Sequence, residues 1–178
     1  MTGLPLVAVR HALIIGAAEP LARPLAVALA RHGATVSIAA LTADRDEVTA
    51  AHSILNECWS LGRDGQAVEL AAAPSAASAL AALEGAVGPF DLAVAFAPAA
   101  LDVLGAAGER MRERGAGRVV FVGESAGAGP DTTPDLAAAE RWAGTHALGP
   151  VHVEIANAHG SPPERLLELV AGDPEASR

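Results

Sequence analysis

Six short apolar runs, each followed by a stretch with helical spacing, constrain this chain more than any other feature of its sequence. The runs are VAVRHALIIG at Val7–Gly16, TVSIAA at Thr35–Ala40, QAVELA at Gln66–Ala71, FDLAVAF at Phe90–Phe96, RVVFVG at Arg118–Gly123 and VHVEIA at Val151–Ala156. The helical stretches are Pro20–His32, Asp44–Leu61, Ser75–Val87, Leu101–Arg114, Asp135–Ala147 and Pro163–Val170. Pro20 suits a first helical turn, Gly33 a helix end, and Thr42 or Asp44 an N-cap. Near-continuous apolar strands are buried on both faces, which is the mark of a parallel sheet lying between helices. Right-handed crossovers then lead to a doubly wound α/β fold of three layers. The expectation is about six parallel strands in the order 3-2-1-4-5-6, in a single domain over residues 1–172 with a flexible tail at 173–178.

Composition narrows the function. About half the residues (51%) are hydrophobic, so the chain can bury a core and is not disordered. The net charge of −9 and the lack of any basic run exclude nucleic acid and anionic membranes as expected partners. Arg10 and His11 interrupt the apolar N-terminal stretch, which therefore does not read as an export signal, and no window is apolar enough to span a membrane. A cytoplasmic location is expected. The one cysteine, Cys58, excludes a disulfide framework and reads as a half-buried structural thiol. Two absences weigh more. The chain has no tyrosine, and all 12 of its Lys+Arg residues are arginines. Chemistry that needs a tyrosine acid or a lysine ammonium is closed to this polypeptide alone.

The first strand–helix turn, ALIIGAAEPLARPLAVALARHGATVSIAAL, carries a resemblance that continues in DLAVAFAP (Asp91–Pro98) and GRVVFVGESAG (Gly117–Gly127). These segments resemble the short-chain dehydrogenase/reductase family over most of residues 8–128, and more loosely over VHVEIAN. The resemblance implies a Rossmann-like sheet with a dinucleotide at the carboxyl ends of its strands, and hydride transfer. Its implied cofactor contacts are Gly16, Ala17, Leu21, Leu41 and Ala97.

The departures from the family are systematic. Gly16 keeps the first glycine of Thr-Gly-x-x-x-Gly-x-Gly, but Pro20 and Ala22 replace the other two. Those glycines let backbone amides approach a pyrophosphate closely, and a proline removes one of the donors. Ala39-Ala40-Leu41 offers no carboxylate to a ribose, and Arg45 reads as a solvated helix-start residue rather than a phosphate ligand. The family's adenine-contacting aspartate is missing from Ala71-Ala72-Ala73-Pro74. Asn-Asn-Ala-Gly has become Ala95-Phe96-Ala97-Pro98, which puts Phe96 in the cleft region.

The resemblance also implies a Ser-Tyr-Lys proton relay, of which the tyrosine and lysine are absent. The serine position falls on Glu124, with Ser125 one place later and turned to the opposite face. Glu124, Ser125 and His146 are the remaining candidates for acid–base work. The helix that should carry the tyrosine, which in the family builds a four-helix interface between subunits, holds Trp142 and His146 instead. Gly123-Glu124-Ser125-Ala126-Gly127 also matches the nucleophile elbow of serine hydrolases. Asp131 or Asp135 followed by His146, His152 or His159 supply partners in the right chain order, but Ala-Gly-Ala-Gly-Pro is poor material for the helix an elbow needs. His152, Glu154, Asn157 and His159 are the only residues grouped for a metal, and no metal is expected.

The reading is a catalytically degenerate short-chain dehydrogenase-like protein that serves as a non-catalytic subunit of a hetero-oligomer. Its expected partner is a full-length dehydrogenase, or a second copy of itself. No cofactor is expected. The expected contact is the Ala-rich helix LDVLGAAGERMRERG, in which Leu101, Leu104 and Met111 share part of a face; packing on the chain's own sheet already accounts for some of these residues. The alternatives are an NAD(P)-dependent oxidoreductase, or a non-redox lyase or isomerase, with an improvised acid in the same cleft. The serine hydrolase is a remote third.

Overall fold

A computed structural model describes residues 9–123, 134–146 and 148–157, together with 165, 167, 168 and 170. The elements in chain order are β1 (His11–Ile15), α1 (Ala22–Arg31), β2 (Thr35–Ala40), α2 (Arg45–Ser60), β3 (Ala67–Glu69), α3 (Ala76–Val87), β4 (Leu92–Ala95), α4 (Leu101–Glu113), β5 (Arg118–Gly123), α5 (Pro134–Thr145) and β6 (His152–Asn157). The strands form one six-stranded sheet, all pairs parallel, in the order β3-β2-β1-β4-β5-β6. This is the doubly wound α/β architecture expected of the apolar runs.

Each sheet face carries its own core. On one, α1 and α2 close over Ile14, Val36, Ile38, Val94 and Val120, joined by Leu167 and Val170. On the other, α3, α4 and α5 close over Leu13, Ile15, Phe90, Val119 and Phe121. Both faces of the central strands are therefore dry, which is why they read as unbroken apolar runs rather than alternating ones. Local chemistry sets the helix starts. Asp44 accepts the Asp46 N–H at 2.8 Å ahead of α2, and Ser75 and Ser78 form a reciprocal capping box ahead of α3.

Several boundaries differ from the expectation for physical reasons. The first helix starts at Ala22 rather than Pro20, because Glu19 to Ala22 form a turn closed by Ala22 N–H to the Glu19 carbonyl (3.0 Å), with Pro20 at its second position. The third strand stops at Glu69, and Leu70–Ala72 coil into a 3-10 turn; alanines are poor strand formers. Of the expected last helix, Arg165, Leu167, Glu168 and Val170 are helical, and its other residues lie outside the described set, as do 171–178.

The expected partner face of α4 is a correction. Leu101, Leu104 and Met111 are all buried in the chain's own core, where α4 packs with α3 and α5 on the sheet. No helix among the described residues is long and apolar enough to cross a membrane.

Candidate functional site

The strand order reverses between β1 and β4, so the crevice of this sheet opens at their carboxyl ends. Its first wall is the loop from Gly16 to Leu21. Gly16 has φ +97° and its N–H bonds the Ala39 carbonyl at 2.9 Å, a conformation that favours glycine. A side chain there would meet the Glu19 Cγ at 3.3 Å and the Leu41 Cδ1 at 3.6 Å, so these two side chains already converge over Gly16. The donors an anion would need at the start of α1 are depleted. Pro20 and Pro24 have no N–H, the Ala22 N–H is spent on Glu19, and Leu21 offers no side-chain cap.

The second wall is the end of β2. There the buried carboxylate of Glu47, from the first turn of α2, accepts the N–H groups of Leu41 (2.9 Å) and Thr42 (2.9 Å) and the Thr42 hydroxyl (2.6 Å). Sequence reasoning missed this group. Its signal is the third helical position after the Asp44 cap, where a glutamate reaches back to preceding amides. Pro24 was likewise legible as a second missing donor. Arg45 is exposed at the start of α2.

Among the implied cofactor contacts, Gly16, Leu41 and Ala97 border the crevice, with Leu41 and Ala97 half-buried, whereas Ala17 is a core residue and Leu21 packs against that core. Phe96 is buried in the same core rather than standing in the cleft.

At the catalytic end, Glu124, Ser125, Asp131 and His159 lie outside the described residues, as does the side chain of Asp135. His146 follows the last residue of α5 and precedes β6. Its ring stacks on Trp142 (centroids 4.8 Å apart), its Nδ1 lies 2.9 Å from the Trp142 carbonyl, and it packs toward Gly105 of α4. His152 opens β6 and so lies at the amino edge of the sheet, opposite the crevice. A six-residue strand separates the two edges by roughly 15–20 Å. Glu154 pairs with Arg118, and His152 Nε2 lies 3.6 Å from the same carboxylate.

Two other groups are set by burial. Cys58 is fully buried rather than half-buried, and desolvation, with the Glu57 charge adding to it, pushes its thiol up to about 11; it is an inert packing residue. His11 is buried at the amino end of β1. Its Nδ1 lies 3.0 Å from the Gly88 carbonyl and its Nε2 2.9 Å from the Ser37 Oγ, so Nδ1 carries the proton and Ser37 donates to Nε2. Burial lowers its pKa, outweighing the opposing pull of the Gly88 carbonyl and Asp91.

A doubly wound parallel sheet with its crevice at the β1/β4 reversal defines the class of dinucleotide-binding folds. Within it the chain has the fold of short-chain dehydrogenases/reductases, as solved structures show. It is similar to a short-chain type dehydrogenase/reductase from Mycobacterium marinum, at 18% identity and TM-score 0.69, over 93% of this chain and 89% of that one. It is similar to the NADH-dependent reductase A1-R′ complexed with NAD, at 13% identity and TM-score 0.65, over 91% and 88%. It is similar to NAD+-bound xylitol dehydrogenase, at 18% identity and TM-score 0.61, over 90% and 75%. At these identities the likeness is one of fold. The sequence matches no protein-family model and no curated protein.

Proposed function

We propose that the chain is a non-catalytic subunit with a short-chain-dehydrogenase fold, and that it acts on a complete dehydrogenase through its surface. The observation that carries this reading is the altered phosphate end of the crevice, at the carboxyl ends of β1 and β2. Glu19 and Leu41 each lie against Gly16, Pro20 and Pro24 withhold amides from the start of α1, and Glu47 occupies the amides at the end of β2. A dinucleotide would have to displace the chain's own side chains and would find few donors for its pyrophosphate. The absence of tyrosine and lysine removes the relay independently of the crevice. The likeness to two NAD-bound structures favours the second reading, an NAD(P)-dependent oxidoreductase with an improvised acid.

One titration separates the two. Purified chain is titrated with NADH and with NADPH, following nucleotide fluorescence. The expected result is no saturable binding up to about 1 mM, where affinity is only about 4 kcal/mol. Saturation in the micromolar range would overturn the loss of the phosphate site, and a stable, active homo-oligomer without any partner would overturn the subunit.

A further inference from the structure

The sheet ends on one side at β3, and among the described residues this strand pairs only with β2. Its free edge has a definite polarity. The Gln66 carbonyl accepts the Ile38 N–H at 3.0 Å and its N–H bonds the Ser37 Oγ at 3.3 Å, so Gln66 faces β2. Successive residues of a strand point their backbone groups to opposite sides. Val68 therefore faces β2 as well, while Ala67 and Glu69 turn N–H and C=O outward.

In front of that edge lie two cavities, of about 770 and 410 Å³, which share His52, Gln66 and Ala67 in their linings. Together they make one groove with β3 as its floor. Trp59 of α2, 49% exposed, stands on one wall. The small Ala82 and the half-buried Val87 of α3 stand on the other. The charged side chains that line it, Asp64 and Glu69, are both acidic, and no arginine does.

We propose that this groove binds an extended segment of a partner polypeptide, added to the sheet as a strand beside β3. The segment presents alternating apolar side chains to the walls and at least one lysine or arginine to Asp64 or Glu69. The outward groups of Ala67 and Glu69 are two residues apart, about 6.6 Å, which is the backbone repeat of a strand and the pattern of strand addition. The edge is recessed between α2 and α3. A sheet edge flanked by its own helices, such as that of a second copy, would collide with those walls, whereas a single extended strand fits. The proposal does not depend on whether the dinucleotide crevice has lost its phosphate site.

The test uses the full chain and an end-blocked heptapeptide, Lys-Val-Thr-Val-Thr-Val-Lys, with a control methylated at alternate backbone nitrogens. Binding is followed by fluorescence anisotropy, and the Ala67 and Glu69 amides by hydrogen exchange. The peptide is expected to saturate and to protect both amides, and the methylated control to bind at least about tenfold more weakly, a difference near 1.4 kcal/mol. Ala67→Pro removes only an outward donor, which edge strands tolerate, and is expected to cut affinity by a similar factor without unfolding the chain. Glu69→Gln supplies a second reading that leaves the backbone unchanged, with weaker binding expected. No saturation up to about 1 mM, or equal binding of the methylated control, would overturn the proposal. Amides already protected in the free chain would overturn it too, pointing to the chain's own segments if protection is independent of concentration and to a second copy if it is not.

Discussion

At the carboxyl ends of the strands the buried polar group is an anion, the Glu47 carboxylate, held by two backbone amides and a hydroxyl. At the amino ends it is an uncharged imidazole, His11, held by a carbonyl and the Ser37 hydroxyl, which in turn accepts the Gln66 N–H ahead of β3. The upper network spends amides that, in a doubly wound fold, face a ligand. The lower network spends nothing a ligand would use: it ties β1, β2 and the entry to β3 into one register, with Asp91 binding the Arg10 and His11 N–H groups beside it. One network thus holds the strands together, and the other occupies groups at the end where function would sit.

The largest expected effect breaks the lower end. Gly65 lies so close to β2 that a Cβ there would overlap the Val36 carbonyl, a backbone group that cannot swing away. Gly65→Ala is expected to cost about 3 kcal/mol or more, read as a lowered urea midpoint. A cost under about 0.5 kcal/mol, the scale of a neutral surface change, would show that this edge of the sheet is loose. At the upper end, Glu47→Ala leaves the amides of Leu41 and Thr42 without their carboxylate acceptor and is expected to cost about 1–2 kcal/mol. If that variant instead keeps full stability and gains affinity for NADH, Glu47 is a plug rather than a brace, and the contrast between the two ends is sharper still.

The sheet was legible in the sequence because its signal is collective. Thr35–Ala40 and Arg118–Gly123 are bounded as their apolar runs predict, and the strand order follows from parallel pairing and right-handed crossovers. The site was legible only as losses. Replacing glycine with Pro20 announces a missing amide, but not that Glu19 and Leu41 would both lie against Gly16, because that depends on where two side chains point across different loops. Glu47 looked like one acid among several at a helix start; burial made it a bound anion. On α4 the stripe of Leu101, Leu104 and Met111 was visible, but a helix packed under its neighbours and one facing a partner subunit carry the same stripe.

The smallest expected effect separates the two ends by pH. His11 has its pKa lowered by burial, so the folded chain resists a proton that the unfolded chain accepts below about 6.5. The stability contributed by the neutral imidazole is therefore complete above that pH and declines as pH falls toward the folded-state value. The charges around it pull the other way: Asp91 at the start of β4 and Glu84 of α3 favour the charged form, but less than burial disfavours it. Protonation would also turn Nε2 into a donor, leaving the Ser37 hydroxyl proton without its acceptor while Ser37 still receives the Gln66 N–H. Urea midpoints between pH 7.5 and 5 are expected to fall more steeply for the parent chain than for His11→Gln, which is less stable throughout but has no imidazole at this position. The difference in slope is bounded by one proton, about 1.4 kcal/mol per pH unit. Parallel curves would mean that water reaches His11 and that the amino end is no drier than the crevice.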